Sequence, residues 1–215
     1  MSMSKKSRAF LLAVSLAALT VVAAYAQEHT PPGDFQTVVT RDGKGVVILG
    51  YTGSSQTVSI PPQINGLPVV EIGHSAFMVM DLTSVTIPYG VTYIAAMAFN
   101  RNQLTSITIP ASVSRIGLGA FSGNRVTEVV IQSNNLRYTM WVEIPYWHRD
   151  RRGEFIAFSG ATRVTLPGDM QWRDVRSLFG GLQNLYDRTG RRAGTFVRER
   201  IREGDTIRYT AWRLE

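Results

Sequence analysis

The sequence predicts a mainly β protein: a right-handed solenoid of short parallel strands, capped by an N-terminal β-hairpin and by a C-terminal helix and β-hairpin. Three observations predict it. "SVTIPYGVTYIAAMAF" (84–99) and "SITIPASVSRIGLGAF" (106–121) repeat one pattern at an offset of 22 residues. Ahead of them, "FQTVVTRDGKGVVILGY" alternates about an Asp-Gly turn. Behind them, helical spacing gives way to a second alternating run with a Gly at its centre.

Residues 1–26 read as a signal peptide. Lys5, Lys6 and Arg8 precede an apolar run from Ala9 to Ala24, and Ala24-Tyr25-Ala26 is a small-x-small cleavage site. The run is short for a bilayer span. The chain is therefore expected to cross the inner membrane and to work in the periplasm, at the cell surface or outside. It has no cysteine, which excludes disulfides, a thiol nucleophile and cysteine metal sites. Packing alone must hold it together.

Composition is globular, 44% hydrophobic and 18% charged. The formal charge of +7 includes three basic residues of the signal peptide. The remaining 20 basic residues face 16 acids, a net +4, and they are unevenly spread. Residues 27–133 hold five basic residues and six acids; residues 134–215 hold fifteen, all arginine, against ten.

Residues 27–56 read as a tail and capping hairpin, with its turn in "RDGKG". Residues 57–133 read as three repeats. Val85, Ile107 and Val129 correspond; so do Ile87, Ile109 and Ile131; Ile72, Ile94 and Ile116; and Phe77, Phe99 and Phe121. These twelve are the expected repeat core, joined by Ala76, Ala98 and Ala120 and by Leu82, Leu104 and Val126. Pro61 aligns with Pro88 and Pro110 if the first copy takes a five-residue insertion around "INGLP". A fixed period of this length means a stacked array. "LTSVTI" is a strand with one apolar side, and Pro88 ends it because proline cannot donate to a ladder. "VTYIA" is a second strand, and "AxAF" is a tight turn plugged by Phe. One unit cannot bury its own edges; stacking buries them, and the ends need caps.

The pattern L-x-S-[VI]-T-I-P-x-x-V-x-x-I-[GA]-x-x-A-F-x-x-N resembles the leucine-rich repeats of the BspA type. Ala95 in place of the usual Gly, and Val126 in place of Leu, are mild departures. The resemblance implies a leucine-rich-repeat solenoid in a non-enzymatic surface or secreted protein. It also implies binding to host matrix components such as fibronectin, or to other cells. "LYDRTGRRAGTF" also resembles a tail on some spirochaete proteins of this repeat type.

Residues 134–168 read as an irregular insertion rich in arginine and aromatics, including Trp141, Tyr146 and Trp147, with a degenerate repeat strand at "RVTLP" (163–167). Residues 169–215 read as the C-terminal cap. Asp169 can cap a helix whose Trp172, Val175, Phe179, Leu182 and Tyr186 recur at helical spacing. "GTFVRERIREGDTIRYTAWR" then reads as a hairpin turning at Glu203-Gly204-Asp205. That register sets Phe196 opposite Trp212, Arg200 opposite Arg208 and Ile201 opposite Ile207. It puts Arg198, Arg200, Arg202 and Arg208 on one face, where like charges cost stability unless an anionic partner takes them.

For function, catalysis lacks a constellation. His29 lies in the tail and His74 at a variable repeat position; His148 sits near Asp150 and Glu154 without metal-ligand spacing. No P-loop, G-x-S-x-G or dinucleotide motif occurs. No cofactor or metal is expected. The expected protein-binding face is the outward side of the repeat strands: Ser84, Thr86, Ser106, Thr108, Glu128 and Val130. Ser and Thr are also ordinary filler on a solvated strand. A second candidate surface is anion-binding: Arg149, Arg151, Arg152, Arg198, Arg200, Arg202 and Arg208, for a sulfated glycan or acidic headgroup. Pairing with Glu143, Asp150, Glu199 and Glu203 is the plainer role for these arginines. A homodimer or a structural scaffold in the periplasm is the third reading. Nucleic acid is not expected as a partner, because the chain is exported.

Overall fold

A computed structural model of the chain describes residues 29–139, 163–168, 189, 192–203 and 206–215. The signal peptide, the insertion with its aromatics, and the C-terminal helix expected from Asp169 lie outside the described residues.

The alternating run at the start folds as the hairpin β1 (Phe35–Val39) and β2 (Val46–Tyr51), antiparallel with a register shift at Gln36/Thr37. Its turn is tied by side chains. Asp42 Oδ1 accepts from Thr40 Oγ1 at 2.6 Å and from Lys44 N–H at 3.2 Å. Those bonds favour the charged carboxylate and hold Asp42 below the ordinary carboxylate pKa.

Each coil then gives one strand to each of two sides. The first coil supplies β3 (Thr57–Ser59) and β5 (Leu67–Ile72), with the two-residue β4 (Gln63–Ile64) antiparallel to β5. The insertion read around "INGLP" is this β4–β5 turn. Asn65 and Gly66 both have positive φ, 53° and 78°, as a two-residue Asn-Gly hairpin turn requires. The next coils supply β6 (Ser84–Thr86) with β7 (Tyr93–Ile94), β8 (Ser106–Ile109) with β9 (Arg115–Gly117), and β10 (Glu128–Ile131) with β11 (Arg137–Thr139). On one side β2, β5, β7, β9 and β11 run parallel in sequence order. The described residues thus form a mainly β solenoid of four coils.

On the other side β3 pairs with β6, and β8 pairs with β10, all parallel. The "RVTLP" strand forms as β12 (Arg163–Leu166), parallel to β10 with Val164 beside Val129. Two antiparallel strands finish this sheet: β13 (Gly194–Val197) and β16 (Arg213–Leu214).

The core follows the 22-residue pattern. Phe77, Phe99 and Phe121 are buried and stacked, with centroids 5.0 and 5.3 Å apart. Tyr51 of the hairpin continues the column at 5.7 Å from Phe77. Eleven of the twelve expected core residues are buried; Val85 is half-buried at the core's edge. The turns are laced by asparagines three residues after the repeat Phe. Asn102 Oδ1 accepts from the N–H groups of Met80 and Leu82, and its Nδ2 donates to the carbonyls of Phe77 and Phe99, all within 3.0 Å. Asn124 bonds one coil on in the same way. Met80 holds this position in the first coil, half-exposed.

The hairpin near the C-terminus forms with a different register. β14 (Arg200–Glu203) pairs with β15 (Thr206–Tyr209) so that Arg200 meets Tyr209, Ile201 meets Arg208 and Arg202 meets Ile207. Arg200 does not oppose Arg208, and Ile201 does not oppose Ile207. The reason is loop length. Glu203 is a strand residue paired with Thr206 and not part of the turn. The single long hairpin is also interrupted, since Phe196 pairs with Leu214 in a separate sheet and not with Trp212.

Candidate binding face

Alternation along the short strands sends every second residue outward, and parallel register lines those residues up. Ser84 pairs with Thr57, Ser106 with Glu128, and Glu128 with Arg163. One step along, Thr86 pairs with Ser59, Thr108 with Val130, and Val130 with Thr165. Thus all six residues of the expected protein-binding face lie on one side of the solenoid. Ser84, Thr86, Ser106, Thr108 and Glu128 are exposed, and Val130 is half-buried. At the far end Arg163 makes a two-pronged ion pair with Glu215, and Thr165 Oγ1 bonds Thr195 Oγ1 at 3.0 Å.

This side is not continuous. β6 belongs to a two-stranded sheet with β3, and β8 begins the sheet that runs through β10; no ladder joins β6 to β8. The flanking junctions show what is missing. Thr83 and Ser84 N–H both donate to Gln56 O, and Thr127 and Glu128 N–H both donate to Thr105 O. No corresponding bond links Thr105 or Ser106 to Thr83, although Gln103 N–H still reaches Leu82 O at 2.8 Å. Beyond that point no ladder joins the two strands, though they stay neighbours. They leave a cleft of about 370 Å³ lined by Ser84, Val85, Thr86, Ile87 and Tyr89 on one wall and Ser106, Ile107, Thr108 and Pro110 on the other, with Gln132 beside them. The half-burial of Val85 belongs to this opening. Tyr89 is 78% exposed.

The cleft was not legible as a cleft, because "TSVT" and "TSIT" are the same strand pattern on its two sides. Two signals were present nonetheless. Tyr89 occupies the position of Ala111 one repeat on, and Gln132 stands where Pro88 and Pro110 stand in the repeats before.

The opposite side carries a different row. Glu71, Tyr93 and Arg115 are register partners, and the Arg115 guanidinium lies 4.5 Å from the Tyr93 ring. Partial burial pushes the Glu71 carboxyl above its ordinary pKa, and the Arg115 charge opposes that shift.

The arginine surface is divided. Arg149, Arg151 and Arg152 lie outside the described residues. The Arg198 guanidinium sits 4.5 Å from the Trp212 ring, a cation–π contact. Arg200 and Arg202 are exposed on β14, and Arg208 is placed by register on β15 opposite Ile201. Arg213 pairs with Glu199 at 3.3 Å. Of the histidines, His29 Nδ1 lies 3.1 Å from Ser59 Oγ, and exposed His74 bonds Ser75; His148 lies outside the described residues.

Residues 52–140 match, in six copies, the family described as BspA type leucine rich repeat region. No match was found among curated proteins. Among solved structures the chain is similar to the T. pallidum leucine-rich repeat protein, at 29% identity over 51% of this chain with a TM-score of 0.41. It is also similar to a leucine rich cell surface protein from Faecalibacterium prausnitzii, at 28% identity over 71% of this chain with a TM-score of 0.44. The chain spans 63% of the first of these proteins and 46% of the second.

Proposed function

We propose, from the match of residues 52–140 to the family described as BspA type leucine rich repeat region, that the protein is an exported, non-enzymatic scaffold that binds another macromolecule through its outward strand face. Adhesion at the bacterial surface, to a host matrix protein or another surface protein, is the role this reading favours.

The observation that carries the reading is the division of labour within each coil. The repeated apolar positions are used up in one buried column. The outward positions Ser84, Thr86, Ser106, Thr108 and Glu128 are left on a single exposed side. A solenoid presents such residues as an extended surface. In this reading the coil is right-handed and its ends are closed. The β1–β2 hairpin covers the first coil of one side. Thr30 covers β3 on the other, donating its N–H to Ser59 O at 2.8 Å and accepting from Ser59 N–H at 3.0 Å.

The test is binding of the chain from residue 27 onward to an immobilised panel of matrix proteins, fibronectin included, at low and high salt. Saturable binding that survives salt supports the strand face, whose cleft carries no charge. Binding abolished by salt moves the function to the arginine surface, where Arg200 and Arg202 stand exposed two residues apart on β14. No binding to any member of the panel favours a self-associating or periplasmic scaffold.

A further inference from the structure

We infer that the cleft between β6 and β8 is a subsite for a neutral sugar, so that the partner's recognised feature is an uncharged glycan. The inference rests on the binding-face reading above and names the ligand chemistry of its central part.

Four observations converge. Among the β3–β6, β6–β8 and β8–β10 neighbours, only β6 and β8 lack a ladder, and the cleft lies between these two. None of its ten lining residues is ionisable at neutral pH, although Glu128 and Arg163 stand in the same row one and two strands away. An anionic or cationic ligand would find no countercharge there. Third, the cleft is lined by Tyr89, an aromatic at a variable position where the next repeat has Ala111, and by Gln132, which stands where the earlier repeats have proline. Fourth, the polar lining is unspent. Among the described residues no side-chain hydrogen bond engages Ser84, Thr86, Ser106, Thr108, Tyr89 or Gln132, whereas Thr92 and Ser114 at strand starts of the opposite side, and Thr83 just before β6, bond the neighbouring coil.

Those features match one ligand chemistry. A sugar ring offers a C–H face that packs on an exposed aromatic ring, and hydroxyls that both donate and accept. Ser, Thr and Tyr hydroxyls and the Gln amide also do both. The volume of about 370 Å³ falls in the range of small-ligand sites, roughly 300–1,000 Å³. The half-buried Val85 gives the floor an apolar edge. The cleft therefore holds one or two sugar units at the end of a chain, with Tyr89 as its stacking wall.

The experiment titrates lactose, cellobiose and N,N′-diacetylchitobiose, with sialyllactose as the anionic control, against the chain from residue 27 onward. Binding is followed by calorimetry and by shifts of backbone resonances. The expected result is saturable, salt-independent binding of at least one neutral disaccharide, with shifts confined to 84–89, 106–110 and 132. Tyr89→Ala weakens it about tenfold or more, the size of a lost stacking contact, while its melting curve is unchanged because Tyr89 is exposed. Gln132→Ala weakens it as a second, independent variant. Failure of every neutral disaccharide to bind overturns the inference, as does equal binding by Tyr89→Ala or a preference for sialyllactose. Protein-panel binding without sugar binding overturns the sugar subsite and leaves the binding face standing; failure of both removes both.

Discussion

The ring of Phe99 lies 5.3 Å from that of Phe121 and within 9° of parallel. With Phe77 at 5.0 Å on its other side, Phe99 is the middle of a column that joins the coils. A coil has no core of its own, so this contact between copies carries the fold. Phe99→Ala should cost about 3–5 kcal/mol in urea unfolding, as buried Phe truncations do. A loss under about 1 kcal/mol would mean that the column does not bear the stacking.

Asn102 holds the turns of two coils at once, with four bonds to backbone groups and almost no exposure. Asn102→Ala strands the N–H groups of Met80 and Leu82 and the Phe77 carbonyl, each of which costs about 1–3 kcal/mol when left unmade, while the Phe99 carbonyl keeps Asn124 Nδ2 at 2.8 Å. The variant should lose about 3 kcal/mol or more by the same unfolding assay. It should also exchange the amides of Met80 and Leu82 faster than wild type.

Val79 has φ 59° and is exposed, and Arg101 and Gly123 adopt the same left-handed backbone one and two repeats on. A β-branched residue is strained there, and Gly is not. Val79→Gly should stabilise the protein by about 1 kcal/mol despite removing an apolar side chain. A melting temperature that falls would contradict this.

Glu71 gives a pH dependence with a definite sign. Its folded pKa is raised above the ordinary value of 4.5 by burial. The folded state therefore binds the proton more tightly than the unfolded chain. The effect is a penalty that appears as pH rises through 4.5 and is complete above the folded pKa. Stability should fall across that interval on rising pH. Glu71→Gln should remove the fall and leave the protein more stable at neutral pH relative to acid pH than wild type.

The repeat made most of this architecture readable. Once Phe77, Phe99 and Phe121 fall at one offset, burial of one implies burial of all, and the strands on either side follow from alternation. The cleft stayed hidden because a ladder is a property of two backbones. Val85 and Ile107 have equivalent sequence surroundings, yet one is half-buried and the other buried. The turn strain was visible in principle, since Gly119 and Gly123 of the third copy mark the positions where Met97 and Arg101 of the second also take positive φ. The register of β14 and β15 turned on one residue of loop length. Reading Glu203 as part of the loop shifted every pair and set Arg200 opposite Arg208 in place of Tyr209.

The most direct test places a charge on the strand face itself. Thr86→Arg and Thr108→Arg change exposed, outward residues on the two walls of the cleft and should leave the melting curve intact. Their binding to whichever matrix protein the wild-type chain captures should be compared with that of Arg200→Ser combined with Arg208→Ser. A strand-face binder predicts about a tenfold or greater loss for each threonine variant and little change for the arginine pair. Unchanged binding by both threonine variants, with loss in the arginine pair, would contradict it and move the function to the C-terminal hairpin.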